Sequence, residues 1–199
     1  MKAAIGILCG GKSRRMGKNK AELDWNGCTL LEHMIRTMKK TGRTIYLSVD
    51  FVSSLSEEYQ EYAVEDRIRD CGPMGGIYSV LKTAREEAVF FCAVDMPYVD
   101  GQAIACLEDH LDDQWDGAFF VEEGRSHALC GIYKKSLLPM IEERLAAGDY
   151  RMRMLSESCR IKRLLFADCR LPKNTLWNMN TPQDYTQAIE ALKHSAETS

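Results

Sequence analysis

The chain has no basic stretch on the scale of a domain, no closely spaced cysteine pair, no long apolar run and no low-complexity linker or repeat. Each lack removes a class of function. The formal charge is −3, from 26 Lys and Arg against 29 Asp and Glu, which leaves no strongly basic domain and argues against a general nucleic-acid binder. The eight cysteines fall at 9, 28, 71, 92, 106, 130, 159 and 169, and none are spaced as C-x-x-C, so a metal or disulfide framework has no support. Cys9, Cys92 and Cys130 sit in or beside apolar runs, where a thiol behaves as a small hydrophobe. A reduced, cytoplasmic chain without membrane association is the expectation. Met1 to Leu8 is too short an apolar segment for a secretory signal, and Leu8 is not the small residue that lipoprotein cleavage before Cys9 requires.

What remains is an ordinary globular composition, 45% hydrophobic and 28% charged over 199 residues, enough for one domain spanning 1–199 with a sizeable core. Strand-like and helix-like segments alternate. Ala3 to Leu8, Arg43 to Val49, Ala88 to Val94, Ala118 to Val121, His127 to Tyr133 and Lys162 to Phe166 read as strands. Helices are expected from the Thr29 capping box to Gly42, and over Ser56–Tyr62, Pro73–Arg85, Asp100–Leu111, Lys135–Ala147 and from Thr181 onward. This alternation implies an α/β fold: a mostly parallel sheet with helices on both faces, and a ligand site at the carboxyl ends of the strands.

The first strand runs into Gly10-Gly11, and Gly17 follows among Lys12, Arg14, Arg15, Lys18 and Lys20. Glycines let backbone N–H groups turn towards an anion, and cations beside those amides suit a polyphosphate. A solvated basic loop would need no glycine pair at a strand end. Asp95 closes the apolar run Val89 to Val94, and so emerges at the same edge as a candidate ligand for a hard cation such as Mg2+. A turn aspartate before Met96-Pro97 is the plainer reading of it.

Leu8-Cys9-Gly10-Gly11, Ser13, Arg15-Met16-Gly17 and Lys20 together resemble the L-A-G-G-x-S-x-R-M-G-x-D-K signature of the nucleotidyltransferases, and most resemble the molybdenum cofactor guanylyltransferases. Cys9 replaces the alanine and Asn19 the aspartate of that pattern. The resemblance implies a three-layer Rossmann-like nucleotidyltransferase fold with one antiparallel strand. It implies Arg15, Lys20 and Asp95 as catalytic residues, with Mg2+ on Asp95. Nucleotide contacts are implied at Leu8, Cys9, Gly10, Gly11, Lys20, Asp66, Gly72 and Asp95, with Asp66 near the base or ribose. Gly72-Pro73-Met74-Gly75-Gly76 is similar to the family's G-P-L-A-G turn, and with Gly10-Gly11 it fits the guanine-selective form. Asn178-Met179-Asn180 before Thr181-Pro182 is similar to the N-x-N-T-P segment near the acceptor. Gly124-Arg125-Ser126-His127-Ala128-Leu129 is similar to G-R-x-Q-P-L, with His127 and Ala128 where Gln and Pro are usual. Asp50 stands roughly where relatives carry asparagine. Tyr150-Arg151-Met152-Arg153, on an expected surface helix, offers two cations that are either acceptor contacts or simply solvated.

The activity so implied is transfer of GMP from GTP to the terminal phosphate of molybdopterin, with release of pyrophosphate. The partners are those two substrates and transient cofactor-handling proteins. A transferase using CTP or a sugar phosphate, and a non-catalytic nucleotide-binding regulator, remain open alternatives. So does a P-loop NTPase, because Gly6 to Ser13 also fits G-x-x-x-x-G-K-S. That motif would make Ile7 and Leu8 loop residues, and it would need a helix where Gly17, Asn19, Asn26 and Gly27 stand.

Overall fold

In a computed structural model, residues 2–10 and 19–197 are described, the side chains of 193–197 excepted. Seven strands form one sheet: β1 (Ala4–Leu8), β2 (Ile45–Val49), β3 (Ala63–Glu65), β4 (Ala88–Ala93), β5 (Gly117–Glu122), β6 (Arg125–Lys134) and β7 (Ile161–Leu165). Their order is β3-β2-β1-β4-β6-β5-β7. β6 is antiparallel to both its neighbours, while every other pairing is parallel. The chain therefore has the mostly parallel sheet with one reversed strand that the resemblance implied. Strand order reverses direction between β1 and β4, whose carboxyl ends lie side by side at Leu8↔Ala93. Such a switch point opens a crevice in which open α/β sheets hold ligands.

Helices cover both faces. α1 (Leu30–Lys39), α3 (Gly101–Glu108) and α6 (Pro182–Glu197) bury Leu30, Met34, Met38, Ile104, Leu107 and Ala188 against Ile5, Ile7, Leu47, Phe90, Cys92 and Phe120. On the other face α2 (Pro73–Thr83), α4 (Leu138–Ala146) and α5 (Arg153–Ser158) bury Met74, Ile77, Leu81, Ile141 and Leu155 against Leu8, Val89, Phe91 and Tyr133. Successive residues of β1 and β4 thus alternate between two apolar layers, which is why both strands read as unbroken hydrophobic runs.

Local signals hold where the chemistry is local. Thr29 Oγ1 accepts from Glu32 N at 3.1 Å in the expected capping box, and Gly42 leaves α1 at φ +62. Thr181 and Asp184 form the reciprocal pair that opens α6. The differences are short-range as well. Ser56–Tyr62 is a 3₁₀ segment over Glu57–Tyr62 that leads into β3, a strand too short and polar to announce itself. Asp100 caps α3 rather than joining it, and a 3₁₀ turn at Lys135–Leu137 precedes α4, which has Pro139 in its first turn. Tyr150 to Met152 precede α5, so only Arg153 lies on that helix.

Two further expectations concern the glycines and the membrane. Ile7 and Leu8 pair with Leu47 and Ser48 inside the sheet, so Gly6 opens no phosphate loop. A Cβ at Gly6 would lie 2.6 Å from the Phe91 ring, so this glycine serves packing. Among the described residues no helix is long and apolar enough to cross a membrane.

Candidate active site

The site grows from the β1–β4 switch point. β1 ends at buried Leu8, whose carbonyl accepts from Val94 N at 3.1 Å, and Cys9 N donates to Ser48 O at 3.0 Å. These bonds carry the two strands one residue past the ladder and deliver Gly10 and Asp95 to the crevice. Burial, with Asp66 beside it, pushes the Cys9 thiol up to about 12, so Cys9 is a packing residue and not a nucleophile. Gly11 and Arg15, with the rest of residues 11–18, lie outside the described residues.

Past that segment the chain re-enters the crevice at a 3₁₀ turn, Lys20–Glu22. Asn19 caps it: its Oδ1 accepts from Ala21 N at 3.1 Å and its Nδ2 donates to Glu22 Oε1 at 3.1 Å. An amide therefore does the capping at the position where the resembling signature carries aspartate. Trp25, buried, meets Tyr98 edge-on at 5.8 Å, and Tyr185 Oη of α6 donates to Asp24 O at 2.5 Å. These contacts fasten the segment after the turn to the loop following β4 and to α6, and no local pattern announced them.

The turn places Lys20 Nζ 2.5 Å from Asp95 Oδ2 and 3.4 Å from Asn180 Oδ1. Asp95 is buried, its carboxyl raised above the usual range by burial and partly restored by the Lys20 hydrogen bond and charge. Its Oδ1 is buried without a partner among the described residues. The Asn178–Asn180 segment is held to it through Met179 N, which donates to Asp95 O at 3.0 Å. Asn178 Oδ1 is also buried and unpartnered, while Asn180 is exposed. Lys20, Asp95 and Asn180, far apart in sequence, thus meet at one end of the crevice, with Asn178 on the segment that carries Asn180.

The other end holds two carboxylates. A Cβ at Gly10 would lie 3.8 Å from Asp50 Oδ1 and 3.9 Å from Asp66 Oδ2, so this glycine runs between them. Asp66 follows β3; its N donates to Val49 O at 2.9 Å and its Oδ1 accepts from Ser48 Oγ at 2.8 Å. Burial raises its carboxyl to about 6, with the Asp50 charge adding to that and the Ser48 bond opposing it. Ser48 and Ser79 were not anticipated. Ser79 Oγ accepts from Arg67 N at 2.9 Å and donates to Gly75 O at 2.8 Å, tying the loop after Asp66 to α2. Their only sequence signal was a serine inside an apolar run.

Gly72 caps α2 at φ +59, ψ −153, a conformation restricted to glycine, with Pro73 in the first helical position. The next glycines are there for contact. A Cβ at Gly75 would stand 2.8 Å from Ile68 O, and one at Gly76 would stand 2.3 Å from Ser48 Oγ. The pair presses α2 against the strand that orients Asp66. The cations of 150–153 are engaged elsewhere: Arg151 pairs with Asp149 at 2.7 Å and Arg153 faces Glu157 at 3.6 Å.

A lysine beside a buried carboxylate at the switch point suits a site for an anion together with a hard cation. A magnesium ion takes one or two protein carboxylates and fills its shell with water and phosphate oxygens, so the orphaned Asp95 Oδ1 fits that demand. Among the described residues no cluster of three or more His, Cys, Asp or Glu forms an all-protein metal cage.

Residues 5–163 match the family model described as MobA-like NTP transferase domain. The chain is 30% identical over 187 residues to a probable molybdenum cofactor guanylyltransferase of Geobacillus sp. (strain WCH70), covering 92% of this chain and 96% of that protein. Among solved structures it resembles molybdopterin-guanine dinucleotide biosynthesis protein A from Archaeoglobus fulgidus, with TM-score 0.85, 21% identity, and 96% and 99% of the two chains covered. A cytidylyltransferase from Leptospira borgpetersenii shares the fold at TM-score 0.73 and 14% identity, covering 98% of this chain and 87% of that one. A fold shared with a cytidylyltransferase does not by itself choose a base.

Proposed function

The chain belongs to the MobA-like NTP transferase family, and from that membership we propose that it transfers GMP from GTP to the terminal phosphate of molybdopterin. A terminal phosphate oxygen of the acceptor attacks the α-phosphorus in line. The bond from that phosphorus to the bridging oxygen breaks, and pyrophosphate leaves. The observation that carries the reading is the Lys20–Asp95 pair at the β1–β4 switch point, with Asn178 and Asn180 alongside.

Both reactants are anions, so the site's work is alignment and charge neutralisation rather than covalent catalysis. Lys20, with Arg15 and the amides of Gly10 and Gly11, holds the departing pyrophosphate. Asp95 would hold Mg2+, which would supply positive charge to the phosphates. Gly72 and Asp66 lie against the nucleoside, and Asn178 and Asn180 face the acceptor. An acceptor phosphate is already ionised and requires no general base, in keeping with a Cys9 thiol that stays protonated. Eight free thiols suit a reducing, cytoplasmic setting, where transient contact with cofactor-handling proteins would deliver the acceptor.

Pyrophosphate release with GTP or CTP, in the presence and absence of molybdopterin, tests the reading. Release that requires both GTP and molybdopterin is the expected result. Equal or faster release with CTP would overturn the choice of base, and release with a sugar phosphate alone would overturn the acceptor.

A further inference from the structure

Among the described residues four buried side-chain polar atoms have no partner: Asp95 Oδ1, Asn178 Oδ1, His127 Nε2 and Arg144 Nε. An unpaired buried polar atom costs about 1–3 kcal/mol, so several at one place mark a surface shaped for something else to bind. Arg144 is on α4, on the opposite face of the sheet. The other three belong to segments at the carboxyl edge of β4. Asp95 follows β4, and Asn178 precedes the residue bonded to the Asp95 carbonyl. His127 lies on the part of β6 that continues past its last pair with β4, Cys130↔Cys92, towards the same carboxyl edge.

The sheet goes to some trouble to set His127 there. β6 opposes β5 at Gly131↔Phe119 and next at His127↔Phe120, leaving Ala128, Leu129 and Cys130 in a bulge. Bulges re-aim side chains and cluster beside active sites. This one is fixed by Tyr133, fully buried, whose Oη donates to Ala128 O at 2.6 Å. Paired residues share a face of the sheet, so His127 stands on the side of Phe120. Phe120, Leu176 and Met179 belong to one core, which puts His127 and the Asn178 segment on the same side. Glu122 Oε2 lies 3.6 Å from His127 Nε2, beyond a hydrogen bond, so this buried ring nitrogen has no partner among the described residues.

We infer that His127 is a substrate contact at the acceptor end of the crevice, where its Nε2–H donates to the phosphate monoester of the incoming acceptor. The inference rests on the transferase reading above and adds a residue to it. Burial holds the imidazole below its ordinary proton affinity, with Arg125 acting in the same direction and Glu122 against it. A neutral ring still offers one N–H, so the contact needs no proton transfer.

Steady-state kinetics of His127→Ala and His127→Gln, with each substrate varied separately, test it. The expected result for His127→Ala is an acceptor KM raised about tenfold with the nucleotide KM within about twofold of the parent, the scale of one hydrogen bond to a charged group. His127→Gln, whose amide N–H reaches a similar position, should recover most of the loss. It also carries the test if the alanine variant folds poorly. An unchanged acceptor KM, or a rise shared equally by the nucleotide, overturns the inference. If the parent shows no turnover with molybdopterin, the transferase reading fails by itself. Inorganic phosphate titrated into the GTP-bound parent then decides the histidine, through the His127 ring signals in two-dimensional NMR. Signals that shift support the contact, and signals that do not move overturn it.

Discussion

Lys20 Nζ sits 2.5 Å from Asp95 Oδ2 across 75 residues of chain, with side chains only 16% and 11% exposed. The two residues came from separate motifs with separate expected tasks, one for phosphate and one for a cation. In the folded chain they are partners. Neither charge is left alone in the crevice, and removing one exposes the other to the full cost of its burial.

Asp95→Asn should leave the fold intact and lower turnover by about 100-fold or more, the usual scale for losing one electrostatic contact to a developing charge. The neutral amide removes the cost of burying the Asp95 charge but leaves Lys20 without its counter-charge, so the net change in stability is the difference of the two. Circular dichroism and pyrophosphate release measured on the same preparation give both answers. Parental turnover in matched Mg2+ would make Asp95 purely structural.

The two lysines of the loop should behave differently. Lys20→Ala should weaken GTP use by at least about tenfold, because a charge-assisted bond to phosphate is worth about 1.5–3 kcal/mol. Lys12→Ala, which changes only local charge in this reading, should cost a few-fold and recover as salt screens the site. Measured kcat/KM at two ionic strengths separates them. A dead Lys12 variant beside an active Lys20 variant would restore the P-loop reading despite the strand pairing of Ile7 and Leu8.

Asp66 should make the nucleotide-free protein pH-sensitive. Burial pushes its folded carboxyl up to about 6, above the ordinary 3.8 of an aspartate, so the folded state binds the extra proton between those values. Its contribution therefore favours folding below that window and is lost as pH rises through about 6. Asp66→Asn, which can still accept from Ser48, should raise Tm relative to the parent at pH 7.5 more than at pH 5, and should weaken GTP binding. Paired thermal melts and nucleotide titrations check both; an equal Tm shift at the two pH values would mean that burial of the charge is not the cause.

Gly76→Ala should destabilise by about 1–3 kcal/mol, because the added methyl would press on Ser48 Oγ and Leu8 in a close-packed seam. Since Ser48 holds Asp66, the same change should weaken nucleotide binding. Denaturant melts with and without GTP separate the two effects. Parental stability would show that the helix can back away from the strand.

Strands β1 and β4, the caps of α1 and α6, the Gly72-Pro73 start of α2 and Asp95 at a strand end were legible in the residues, because each depends on neighbours a few positions away. The family was legible for the same reason, since its signature is one continuous stretch ending at Lys20. Tertiary structure decided what those residues meet. β3 exists because β2 offers it an edge, and the roles of Gly6 and Gly76 appear only against Phe91 and Ser48. Asp66 acquires its raised affinity for a proton from burial beside Asp50, and Lys20 finds Asp95 only after the sheet has brought β1 and β4 together. Contacts between residues distant in the chain leave no periodicity for a sequence to display; packing and burial create them.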